Sequence, residues 1–152
     1  MISIRIATED NIENLMSSRL EMLKDVNALP ENYKYSDEMV KETRDYFMNG
    51  DHITVLAFDG GTVIGCASMS FIRIMPTFYH PTGRRAHLMN VYTRREYRRQ
   101  GIARKMLELL IEKTWEKGAT EISLDATVAG RPLYESLGFT ASTECMVLTR
   151  KI

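Results

Sequence analysis

The chain has 152 residues, 44% of them hydrophobic and 26% charged, with a formal net charge of zero. That is enough material for one filled core, so a single domain over residues 1–152 is expected. Balanced charge argues against a general nucleic-acid or membrane-surface binder, no apolar run approaches a membrane span, and "MISIRIATED" lacks the build of a signal peptide, which points to a cytoplasmic location.

"ISIRIA" alternates apolar and polar residues, as a half-buried strand does. Thr8 follows as an expected helix cap with Glu9 and Asp10 behind it, and Ile12, Leu15, Met16, Leu20 and Leu23 recur at helical spacing before Pro30. Ser36 is the next expected cap, opening a helix with Met39, Val40, Thr43 and Phe47 on one face that stops near Asn49-Gly50. "HITVLAFDGGTVIGCASMSFIRI" reads as a hairpin turning at Asp59-Gly60-Gly61. "MPTFYHPTGRR" is a loop and "AHLMNVYT" a strand, and "RREYRRQG" links that strand to a third helix. The buried stripe of this helix is Ile102, Ala103, Met106, Leu107, Leu110, Ile111 and Thr114, with Gly118 at its C-terminal cap. "TEISLDAT" is expected to form a strand, "GRPLYESLG" a short helix and "TECMVLTRKI" a last strand. The order β-α-α-β-β-β-α-β-α-β predicts an α/β (α+β) layered fold with a mixed sheet. Cys66 and Cys145 lack metal-type spacing and are expected to be buried, reduced thiols; no metal site is expected.

Charge is balanced in sum but not along the chain. Residues 1–51 hold eleven Asp/Glu against six Lys/Arg, whereas residues 84–113 hold nine Lys/Arg against three Asp/Glu. The basic stretch is expected to meet an anionic ligand, and the acidic third to lie nearer a cationic one.

"YRRQGIA", residues 97–103, concentrates that charge at a helix start. Cations in a first helical turn oppose the partial positive charge of the helix N-terminus. A glycine turn between strand and helix also leaves backbone N–H groups unpaired, and together with the dipole these make an anion site. Gly101 lets an anion approach the backbone, and Arg98, Arg99 and Arg104 are placed to screen a multiply charged one. The pattern is neither a Walker loop nor the dinucleotide fingerprint.

Arg98-Arg99-Gln100-Gly101-Ile102-Ala103 resembles the [QR]-x-x-G-x-[GA] signature of the GCN5-related N-acetyltransferases, the GNAT family. "LYESLGF", residues 133–139, resembles the family's tyrosine helix leading into Gly-Phe, about thirty residues downstream as in the family. The likeness covers most of the chain from residue 52 onward, and the two N-terminal helices fall where the family places its variable acceptor side. It implies a mostly antiparallel central sheet flanked by helices, and acetyl-CoA as co-substrate.

The resemblance further implies that Arg98, Arg99, Gln100, Gly101, Ile102, Ala103 and Arg104 receive the pyrophosphate. The backbone of Val91, Tyr92 and Thr93 would pair with the pantetheine arm as an added strand pairs with a sheet edge. A bulge N–H near Val91 would polarise the thioester carbonyl. Tyr134 aligns with the tyrosine that family members place beside the CoA sulfur. Many members carry an asparagine where this chain has Thr127, which can still donate and accept one hydrogen bond.

The general base does not follow from sequence. "AHLMNVYT" holds no carboxylate, so His87 and Asn90 are the polar candidates, the first as a base and the second to hold a water or the acceptor. Glu21, Asp25 or a carboxylate of the second helix could serve through water. The expected activity is acetyl transfer to a primary amine of a small molecule or peptide by direct attack. The alternative is a sensor that binds acyl-CoA without turnover. The resemblance also allows a homodimer, though no segment specifies an interface.

Overall fold

The computed structural model describes residues 1–151. Strands β1 (Ile2–Ile6), β2 (His52–Asp59), β3 (Thr62–Arg73), β4 (Arg84–Thr93) and β5 (Ile122–Leu124) lie side by side in chain order. The first four are antiparallel, and β5 runs parallel to β4. Parallel neighbours need a long crossover, and α3 (Ile102–Glu116) supplies it. Helices α1 (Ile12–Val26) and α2 (Asp37–Asn49) join β1 to β2, and α4 (Arg131–Ser136) follows β5.

Alternation along the strands builds two cores, one on each sheet face. Val55, Ala57, Met69, Ala86 and Leu88 turn to one side, where Ile102, Met106, Leu107 and Leu110 of α3 cover them. Leu56, Phe58, Cys66 and Tyr92 turn to the other, under Leu15 and Met16 of α1 and Phe47 of α2. The second cover is incomplete. On its face of β4, His87 and Met89 remain partly open, beside Ile72 of β3.

Local signals set most boundaries. Ser36 Oγ accepts the Met39 N–H at 3.1 Å and so caps α2. Thr8 precedes a 3-10 turn, Glu9–Asn11, so α1 begins at Ile12, later than expected. Gly118, at φ 94°, closes α3 with paired bonds from Gly118 N–H to Trp115 O and from Ala119 N–H to Thr114 O.

Two expectations fail near the C-terminus. The strand expected in "TECMVLTRKI" does not form over residues 143–151, and Ile152 lies outside the described residues. β5 is only three residues long, so it offers little edge to template a neighbour, and Met146, Val147 and Leu148 stay exposed. Cys145 is accordingly exposed, while Cys66 is buried as expected.

Candidate active site

The sheet opens between β4 and β5. Their pairing ends at Leu88 and Leu124, and beyond it β4 has no strand on that side among the described residues. On its other side the register steps from Ser68 opposite Met89 to Cys66 opposite Tyr92. Asn90 and Val91 therefore share one place in the ladder, a bulge that bends β4 away. Asn90 adopts φ 61°, a conformation that asparagine tolerates better than most side chains. Its buried amide is already engaged: Oδ1 accepts from Arg19 at 3.2 Å, and Nδ2 donates to Ser68 Oγ at 3.1 Å. Val91 packs toward α3, whereas the Tyr92 ring lies under α1.

The end of β4 leads into a row of free donors. Arg98 N–H bonds Arg95 O, and Lys105 N–H bonds Gly101 O. Among the described residues no acceptor is found for the six N–H groups between them, from Arg99 to Arg104. Arg99 and Gly101 both have positive φ, 62° and 78°. Successive turns of that hand converge N–H groups into an anion-binding concavity. A Cβ on Gly101 would meet nothing within 4 Å, so the space in front of the backbone is open. Thr93 Oγ1, at the end of β4, is buried without a hydrogen-bond partner among the described residues. The donors, the glycine and the orphaned hydroxyl fit an anionic, polar ligand.

Of the five arginines from Arg94 to Arg104, four divide by partner as follows, and Arg95 reaches Asp25 at 3.4 Å. Arg98 is held by the protein: its Nε donates to Thr93 O at 2.7 Å and its Nη2 lies 3.1 Å from Asp25. Arg104 reaches Glu108 at 3.4 Å and also contacts Ser136 of α4. Arg94 forms a two-pronged pair with Glu21 at 2.8 and 2.9 Å. Arg99 has no ion pair among the described residues, which leaves its guanidinium for a ligand. Gln100 is exposed, Ile102 is buried under the sheet, and Ala103 keeps the first turn narrow.

The basic stretch thus meets the acidic third within the chain itself. Glu21 and Asp25 of α1 hold Arg94, Arg95 and Arg98, so neither carboxylate is free as expected for a cationic acceptor. The hydrogen bonds from Arg94 hold the Glu21 carboxyl below its ordinary value of about 4.3, outweighing partial burial. A carboxylate depressed in the fold contributes stability that is complete above its unfolded value and is lost as pH falls through the lower folded one. Thermal unfolding followed down from about pH 6 to about pH 3 should therefore decline less steeply in Glu21→Gln than in wild type. Such a half-exposed pair contributes about 1 kcal/mol or less; equal slopes would remove the pair from the account.

On the open face, His87 lies opposite Ser123, one residue before the pairing ends. Its Nδ1 lies 2.7 Å from Ser123 Oγ and its Nε2 lies 3.6 Å from the exposed carboxylate of Asp125. Tyr134 packs edge-on to Phe139, with centroids 6.0 Å apart. Burial raises the pKa of its hydroxyl, which makes no hydrogen bond among the described residues. Thr127 Oγ1 accepts the Gly130 N–H at 3.1 Å, bracing the turn before α4. A Cβ on Gly130 would come within 3.0 Å of the Tyr134 ring, so the glycine keeps that ring in place. Ser123, Asp125 and Arg19 are absent from the sequence reading. A parallel register would have been needed to bring the first two to His87.

The model of the acetyltransferase (GNAT) family matches residues 20–139. The chain belongs to the GNAT family. A predicted acetyltransferase from Clostridium acetobutylicum, solved with acetyl-CoA, shares 30% identity at a TM-score of 0.85, covering 98% of this chain and 96% of that one. Two more distant structures share the fold. An aminoglycoside acetyltransferase from an uncultured soil sample, in complex with sisomicin, has 14% identity and a TM-score of 0.77, over 99% of this chain and 96% of that one. Glucosamine-6-phosphate N-acetyltransferase from Arabidopsis thaliana has 18% identity and a TM-score of 0.71, over 99% of each chain. A comparison with curated proteins gives no match. This GNAT protein is a CoA-dependent N-acetyltransferase. Among its described residues no helix is long and apolar enough to cross a membrane, and no group of three or more His, Cys, Asp or Glu could hold a metal ion.

Proposed function

We propose that the protein transfers an acetyl group from acetyl-CoA to a primary amine of a small molecule or peptide, by direct attack in the gap between β4 and β5. The observation that carries this reading is the run of unpaired N–H groups from Arg99 to Arg104 beside an unpaired strand edge. The amides and Arg99 bind the pyrophosphate, and Thr93 Oγ1 takes a polar group of the same ligand. The free edge of β4 from Val91 to Thr93 pairs with the pantetheine arm, with Thr127 across the gap. That seats the thioester at the bulge, where a backbone N–H stabilises the developing oxyanion. The relatives that act on aminoglycosides and on glucosamine 6-phosphate support a small-molecule amine as acceptor.

An alkyl amine is mostly protonated at neutral pH, because its pKa lies near 10. His87 takes its proton on Nε2, with Ser123 holding Nδ1 and the Asp125 carboxylate facing the imidazolium that forms. His87→Gln is expected to lower kcat at pH 7 by roughly a hundredfold, within the usual range for losing a general base. A kcat within about twofold of wild type at every pH would assign the base elsewhere. The reaction itself is tested by following CoA release with a panel of primary amines. Tight acetyl-CoA binding without release on any amine would favour a sensor that binds without turnover.

A further inference from the structure

Arg19 stands apart among the charged side chains of α1. Glu13, Glu21 and Asp25 each hold an arginine, and Lys24 donates to the Glu31 carbonyl. Arg19 has no carboxylate within ion-pair distance among the described residues. Its Nη1 donates to Asn90 Oδ1 at 3.2 Å and passes 3.8 Å from Met22 Sδ. Its Nε and Nη2 have no acceptor among the described residues, yet neither is sealed from solvent. Half-burial lowers the pKa of the guanidinium, which nonetheless stays charged because arginine titrates far above neutrality. The nearby Cys66 thiol is pushed up to about 12 by burial and offers no counter-charge. A dipole from Asn90 is a poor substitute for an anion, and charges drawn out of water are ordinarily paired.

The position narrows what the missing anion is. Arg19 is anchored to the bulge, on the α1 face of the sheet, the face on which His87 and Met89 are open. The phosphates of acetyl-CoA have their own donors from Arg99 to Arg104, and its thioester end carries no charge. The anion therefore arrives with the other substrate. A guanidinium with a free edge matches the paired oxygens of a carboxylate or a phosphate.

We propose that Arg19 recognises a carboxylate or phosphate carried by the acceptor close to its reactive amine. This rests on the reading of the cleft as an N-acetyltransferase site. It replaces the cationic acceptor expected from the acidic N-terminal third, whose carboxylates at Glu21 and Asp25 are already paired.

The test uses acceptors in matched pairs: α-amino acids beside their carboxamides, and phosphoethanolamine beside ethanolamine. The two sets separate a carboxylate from a phosphate. Acetyl-CoA binding is measured first by calorimetry, and its failure would overturn the underlying reading rather than this one. With acetyl-CoA bound, the anionic member of at least one pair should be preferred by about tenfold or more in kcat/KM, mainly through KM. In Arg19→Gln that ratio should collapse toward one, and in Arg19→Lys it should be partly restored. Equal losses for both members of every pair would instead assign Arg19 to the oxyanion or to the fold. A ratio near one in wild type, or no binding of any anionic member at millimolar concentration, would overturn the proposal.

Discussion

Gly101→Asp is expected to weaken acetyl-CoA binding by about a hundredfold, and Gly101→Ala by much less. Two effects separate the variants. Any side chain at φ 78° is strained by roughly 1–2 kcal/mol, but that strain is present with and without ligand and shows chiefly as a lower Tm. The aspartate adds a negative charge in the open space where the row of N–H groups converges. A like charge some 5–6 Å from a phosphate costs about 3 kcal/mol at an effective dielectric constant near 20, and about 2.7 kcal/mol is a hundredfold in Kd. Calorimetry on both variants, beside their thermal unfolding, isolates the charge effect. Equal affinities for the two variants would mean that the phosphates do not sit at this junction.

Tyr134→Phe should lower kcat by about ten- to a hundredfold, equivalent to roughly 1.4–2.7 kcal/mol of barrier, while leaving acetyl-CoA affinity within about twofold. Phenylalanine keeps the edge-on packing against Phe139 and the fit over Gly130. Only the hydroxyl is lost, and that hydroxyl has no partner among the described residues to leave unsatisfied. Burial raises its pKa, so it holds its proton throughout the neutral range and remains a donor. The same shift makes complete transfer to a thiolate, already uphill by about 1.5 units, less favourable still. The expected role is therefore a hydrogen bond to the departing sulfur. Rapid-quench measurement of the chemical step would show the loss directly, and an unchanged step would end the assignment.

What the sequence made legible was local. The strand-glycine-helix junction needs only neighbours in the chain, and Gly101 announces it because no other residue takes φ 78° freely. Ser36, Gly118 and the Asp59-Gly60-Gly61 turn are readable for the same reason. The bulge near Val91 follows from the family resemblance and not from local pattern, because the register of β3 against β4 is a property of two strands. Its one trace in sequence is an asparagine within the apolar run "HLMNVY". Arg19 was hidden differently: on a helix wheel it passes for the edge of a solvated face, and only the fold brings it to Asn90. The uneven charge is legible in the sequence, but its first consequence is not, since basic and acidic segments far apart in the chain pair with each other only in the fold. In "TECMVLTRKI" alternation and apolar content favour a strand, but a strand also needs an edge to join, and β5 has three residues to give.

The ion pairs from Glu21 to Arg94 and from Asp25 to Arg95 and Arg98 limit how this scaffold can be re-engineered. The first two helices look like an exchangeable module that could be replaced to redirect the enzyme to new amines. Yet Arg98 also supports the turn through the Thr93 carbonyl, and without Asp25 that guanidinium would be free to swing. A transplanted segment that lacks acidic residues at positions 21 and 25 would loosen the junction proposed for the pyrophosphate while altering the side proposed for the acceptor. Chimeras should therefore be cut so that those two carboxylates travel with the recipient, not with the donor.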